Sequence, residues 1–165
     1  MNEENKFYPL PQPDEISIRE KEDAMGAYLM MFAAIAAGLP LPVINLIAAI
    51  IYYFMNRHKS RFVKFHALQS LITQLPTSLI NAIAVFWGIR IFFYNVAFSN
   101  LYKGYLVFVI LANVLWVVFS LIAAVKARRG KFYYMIFFGK YAYLRTFAIK
   151  ENDKKEEYIN LPPKL

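Results

Sequence analysis

Apolar residues run along this chain in long, nearly unbroken blocks, without the period-two alternation of strands or the one-sided stripe of a soluble surface helix. The first block spans Met25 to Met55 and is interrupted by Gly38, Pro40 and Pro42. As one helix it would be roughly 48 Å long, against a hydrocarbon core of about 30 Å. Each proline removes a backbone donor and turns the residue before it, Leu39 or Leu41, away from helical geometry. This favours a tight hairpin of two short helices over one kinked span. A second block runs from about Phe65 to Phe93, and a third, Gly104 to Val125, has 22 residues without a charge. The pattern predicts an all-α polytopic membrane protein with four membrane helices, the first two a short Gly/Pro-broken hairpin. The alternative is three spans.

Polar positions assign a side to each end. Arg57, Lys59, Arg61 and Lys64 precede the second block, and Lys126, Arg128, Arg129 and Lys131 follow the third. By the positive-inside rule both clusters are cytoplasmic, and the loop YNVAFSNLYK between them lies outside. With the hairpin, both termini are cytoplasmic. Three domains follow: an acidic tail over 1–23, a membrane helical domain over 24–149, and a charged cytoplasmic tail over 150–165. The first tail carries Pro9, Pro11 and Pro13 and lacks a signal-peptide pattern, so it reads as a retained, solvated segment, or alternatively a binding element. Residues 131–149 hold eight aromatics, and their three cations share no helix face. An aromatic interfacial segment broken at Gly139 is expected, anchoring at the headgroups or docking a partner.

Charge sorting also excludes chemistry. All 11 acidic residues lie at or before Asp23 or at or after Glu151, so Ala24 to Lys150 contains no carboxylate, although the chain has a net charge of +8. Proton relays and cation sites inside a membrane ordinarily use a buried Asp or Glu. Without cysteines there is no disulfide, thiolate metal site or cysteine nucleophile, and His58 and His66 have no carboxylate near them in sequence. No metal, cofactor or nucleic acid is expected, and the protein is expected not to be an enzyme.

One helix carries a polar stripe. His66, Gln69, Ser70, Thr73, Thr77 and Asn81 recur at spacings of three and four, within about 140° of one face. Such a face would be costly against lipid and should meet other helices or a wet cavity. Pro76 interrupts the same helix and frees the carbonyl of Ile72. The stripe reads either as interhelical glue or as the lining of a path. Asn45, Asn113 and Ser120 are candidate packing partners, and Ala33, Ala34, Ala36, Ala37, Ala48 and Ala49 would allow close helix approach.

The run KSRFVKFHALQSL, with Arg61, Phe62, Phe65, His66, Ala67 and Gln69, resembles the signature of the Tic-twenty family, a chloroplast inner-envelope import subunit and its small bacterial homologues. The resemblance implies a four-helix membrane protein in or beside a protein-translocating complex. The acidic N terminus does not resemble a transit peptide, which points to a bacterial inner membrane. The expected function is a non-enzymatic membrane subunit, an accessory or scaffold component of a larger assembly such as a translocation complex. Its expected partners are membrane lipids and other membrane subunits or further copies of itself. The alternative is a small-solute or lipid transporter using the face from His66 to Asn81.

Overall fold

A computed structural model describes residues 7–32 and 42–149 of the chain. Within them lie five helices: α1 (Ile18–Leu29), α2 (Pro42–Asn56), α3 (Arg61–Phe93), α4 (Asn100–Arg128) and α5 (Phe138–Phe147), with a 3-10 turn, Met30–Phe32, after α1. Among the described residues there is no strand, only an isolated antiparallel bridge between Phe7 and Ala148. The fold is all-helical, as expected.

Local chemistry sets the helix starts. Ser17 caps α1 in a reciprocal box, its hydroxyl accepting the Glu20 amide at 3.2 Å while Glu20 Oε2 accepts the Ser17 amide at 2.9 Å. Ser60 and Ser99 cap α3 and α4 by accepting the amides of Val63 and Tyr102. Pro42 opens α2, where its missing amide costs nothing. Lys126 and Arg128 sit in the last turn of α4, favourable against the helix dipole.

At 33 and 29 residues, α3 and α4 are about 50 and 44 Å long, and both are long and apolar enough to cross a membrane. The 15-residue α2 is apolar but shorter than a full span. The two long helices run antiparallel, and their ends differ. At the basic end, the first turns of α3 and the last turns of α4 pack with α1 around Ala24, Tyr28, Phe62, Val63, Ala123 and Ala127. Phe65, Ala142 and Phe147 extend this core under α5. At the distal end, Leu79, Phe86 and Phe92 of α3 and Ile110 and Leu111 of α4 face outward. So broad an unpartnered apolar surface suits lipid rather than water.

Three expectations change here. The segment expected as a solvated tail is, from Phe7 onward, part of the fold: the Tyr8 amide donates to the Phe147 carbonyl at 2.9 Å, Ile16 is buried, and α1 already begins at Ile18. Residues 131–149 are not broken at Gly139. The segment runs without helix or strand to Met135, turns at Ile136 and Phe137, the latter at a φ of 64°, and continues as α5 with Gly139 inside its first turn. A Cβ on Gly139 would lie 2.6 Å from the Tyr134 Cα, so the extended segment and α5 can meet only over a glycine. Finally, α3 is continuous through Pro76. Gly38, Pro40 and the alanines from Ala33 to Ala37, with the tail from residue 150, lie outside the described residues.

Candidate functional site

The polar stripe of α3 divides into two sets with different partners. In the upper set, Gln69 is fully buried and its amide is used completely. Its Nε2 donates to Tyr28 Oη at 2.8 Å and to the Tyr133 carbonyl at 2.9 Å, and its Oε1 accepts the Met135 amide at 3.3 Å. One side chain thus ties α1, α3 and the extended segment after α4. Tyr28 Oη lies 2.9 Å from His66 Nδ1. Tyr28 Oη, which accepts from Gln69, thus joins the amide and the imidazole in one buried chain of hydrogen bonds. The His66 Nε2 is buried with no hydrogen-bond partner among the described residues, and the ring is enclosed by Phe62, Phe65 and Phe132 at centroid distances of 4.5, 5.0 and 5.8 Å.

In the same set the Ser70 hydroxyl donates to the Ala27 carbonyl at 2.7 Å, away from the Tyr28–His66 contact. Thr73 donates to the Ser70 carbonyl at 2.8 Å, turning its hydroxyl back onto its own helix.

The lower set joins α3 to α4. Asn81 and Asn113 exchange amide hydrogen bonds, 3.0 Å in each direction. Asn81 also bonds back to the Thr77 carbonyl, and Thr77 to the Thr73 carbonyl. Asn45 of α2 joins Thr77, Asn81 and Asn113 around a small polar cavity of about 30 Å³, the size class of a single water. Gln74 Oε1 and Trp116 Nε1, both buried without a hydrogen-bond partner among the described residues, belong to residues of the same lining. Ser120 is buried, at 2% exposure, on α4. Beside these groups an apolar groove of about 370 Å³ opens between α3, α4 and the segment from Tyr133 to Phe138, with Pro76 and Phe119 in its wall.

Of the residues singled out in the sequence, Phe62, Phe65, His66, Gln69, Ser70 and Thr73 come together at the basic end, whereas Asn45, Thr77, Asn81 and Asn113 form the separate distal set. Arg61 joins neither. Its guanidinium stacks over the Tyr8 ring at 3.4 Å. Sequence reasoning missed Gln74, which sits one turn after Ser70 at the margin of the stripe and was open to the same periodicity. It also missed Tyr28, Tyr133 and Met135, two of which act through backbone atoms that leave no side-chain signal.

The comparisons with known proteins correct one expectation. Comparison with curated proteins and with solved structures finds no match. The profile of the magnetosome magnetite crystal formation protein family, MamF/MmsF, matches residues 21–141, which overturns the Tic-twenty resemblance together with the protein-transport and translocation-subunit role drawn from it. The misleading run is accounted for by packing. Phe62, Phe65, His66 and Gln69 are buried against α1 and the extended segment. A basic cap is common to helices that enter a membrane from the cytoplasmic side, and polar side chains recur where membrane helices pack. From α1 through the start of α5 the family's profile follows the helical body, and the chain belongs to the magnetosome magnetite crystal formation protein family, MamF/MmsF.

Proposed function

We propose that this chain is a non-catalytic integral component of the membrane in which magnetite crystals form, and that it influences crystal formation by organising that membrane and its proteins. The observation that carries this reading is the family match over residues 21–141, which overlies two helices long and apolar enough to span a membrane. Binding of iron through carboxylates fits poorly with the body of the protein, because Ala24 to Lys150 contains none. The hydroxyl and imidazole groups that a catalyst would need are engaged in internal hydrogen bonds at the basic end.

In this reading α3 and α4 cross the membrane fully. α1 and α2 form a hairpin dipping in from the basic side, supported by the 2.7 Å bond from Tyr52 Oη to the Asp23 carbonyl, which brings the end of α2 back beside α1. Both termini and both basic clusters face the cytoplasm, and the connection from Tyr94 to Ser99 faces the opposite side. Outward apolar faces on α2, α3 and α4 are available to lipid, to other membrane subunits or to further copies of the chain.

The test is genetic and direct. Deleting the gene in a magnetite-forming bacterium should reduce crystal size or number in electron micrographs, and the wild-type chain should restore them. Unchanged crystals in the deletion strain would end the proposal. Topology is separable, because the chain has no cysteine. A single cysteine replacing Ser99 should resist a membrane-impermeant maleimide added from the cytoplasmic side, and one replacing Lys131 should react.

A further inference from the structure

The helices of this chain do not occupy the two halves of a bilayer equally. With 12, 15 and 10 residues, α1, α2 and α5 measure about 18, 22 and 15 Å, against about 50 and 44 Å for α3 and α4 and a hydrocarbon core of about 30 Å. All three short helices pack at the basic end. Ala27 and Tyr28 of α1 meet Ser70 and Gln69, Tyr52 near the end of α2 donates to the Asp23 carbonyl of α1, and Phe147 of α5 packs with Phe65. Asn45, near the start of α2, lies level with Thr77 and Asn81. Beyond Asn81 the ties of α3 among the described residues run to α4, where the Tyr102 hydroxyl donates to the Ala84 carbonyl at 3.1 Å and the Tyr102 ring lies 5.2 Å from that of Trp87. Phe86, Phe92 and Phe93 stay exposed there.

A second return into the same half follows α4. From Lys131 the chain passes the Gln69 amide, turns at Ile136 and Phe137, and comes back as α5 until Phe147 pairs with the arm at Tyr8. The tip shares the apolar groove with Thr73 and Thr77, which lie 12 and 16 residues beyond Arg61 and so about 18 and 24 Å along α3. The turn itself is strained. The Phe138 amide donates to the Ile136 carbonyl at 2.8 Å, closing a γ-turn over Phe137 at a φ of 64° and a ψ of −48°. Glycine suits such a φ and phenylalanine does not. The Phe137 ring is nonetheless 86% exposed, and Ile136 beside it 71%. So bare an apolar tip gains little from packing on protein and much from lying among acyl chains.

We propose that the chain is a wedge in the bilayer, with α1, α2 and the return through Phe137 widening only its cytoplasmic half, and that the partner it fits is a lipid surface convex toward the cytoplasm. A body wider in one leaflet spreads that leaflet, and a bilayer already bent in that sense accommodates it with less strain. The inference rests on the membrane placement proposed above and not on the role in crystal formation.

The experiment sorts the full chain between flat and curved membrane. Because the chain has no cysteine, Lys131→Cys or Ala97→Cys gives one label site, at the basic end or in the opposite connection. Each variant is reconstituted in giant vesicles of phosphatidylcholine and phosphatidylglycerol. A membrane-impermeant maleimide dye added outside marks only the copies whose labelled end faces out, and a narrow tube is then pulled outward. Relative to a lipid dye, copies labelled at Lys131→Cys should be about two- to threefold denser in the tube than on the vesicle. Copies labelled at Ala97→Cys should be depleted from it. Adding Phe137→Gly to Lys131→Cys suits the turn and removes the ring, so the enrichment should fall; an unchanged value would overturn the wedge. Equal density of both labels in tube and vesicle would overturn the proposal and leave the placement standing. Sorting of both labels in the same direction would mean that the two sites share a side, which overturns the placement and the inference with it.

Discussion

The two ends of α3 are built from one continuous helix, yet they solve opposite problems. At the basic end, Phe65, His66 and Gln69 are completely buried, and polar groups are paired with backbone atoms of other segments. At the distal end, Leu79, Phe86 and Phe92 face outward, and the polar ties to α4 are the reciprocal Asn81–Asn113 pair and the phenols of Tyr102 and Tyr105, which donate to the Ala84 and Ile80 carbonyls. The difference lies in the solvent. The basic end must exclude water, so burial of aromatic rings stabilises it strongly. The distal end exchanges lipid for protein, so apolar contacts gain little there and shape and polar pairs hold the helices together.

Matched substitutions test this directly. Phe65→Ala should destabilise the purified chain by about 3–5 kcal/mol, the cost of emptying an aromatic site in a packed core, whereas Phe86→Ala should change the detergent melting curve little. Similar losses in the two variants would erase the distinction between the ends. Next in size is Gln69→Leu, which strands the Tyr133 carbonyl and the Met135 amide. A cost of about 2–4 kcal/mol is expected, along with faster proteolysis between Lys131 and Phe138 while the distal helices stay protected.

Asn81→Leu removes the amide pair from the membrane half and should cost about 0.6 kcal/mol, with about 1.7 as an upper bound. A loss as large as that of Gln69→Leu would mean that the distal pair organises the fold as much as the basic end does. The smallest effect concerns the cap of α1. The Ser17 hydrogen bond holds the Glu20 carboxyl below its ordinary value of 4.5, somewhat offset by desolvation. A depressed folded value makes the contribution complete above the ordinary carboxyl range and lost as pH falls through the lowered one. Ser17→Ala should therefore narrow the gap between melting temperatures at neutral and acidic pH; an unchanged gap would show that the cap is not the source.

The helical class and the two long apolar segments were legible because a bilayer demands continuous apolar helices, and that demand is written in consecutive residues such as Gly104 to Val125. The stripe was legible for the same periodic reason. Its division was not. Nothing in the spacing of His66, Gln69 and Ser70 distinguishes them from Thr77 and Asn81, and only the position of Tyr28 and of the 131–137 segment assigns the first group to a closed core. The family resemblance failed on the same point, since residues common to many helix starts were read as a signature. Residues 7–17 misled because a proline-rich acidic stretch has the composition of a tail, while its docking rests on a backbone pairing at Tyr8 and Phe147 and on the buried Ile16.

By itself, the amino-acid sequence determined that the body of this protein is helical, apolar and free of carboxylates, and that its cations gather at two points along the chain. These are properties of composition and local period, which need no knowledge of distant contacts. The positive-inside rule already put the two cation clusters on one side; only the tertiary structure decided that α1 and the arm at Tyr8 pack at that end, that Gln69 bonds α1 and the 131–137 segment, and that Arg57, Lys64 and Arg145 surround one cleft. Those juxtapositions join residues as far apart as Tyr8 and Arg145, and they arise from how antiparallel helices return the chain to the same side.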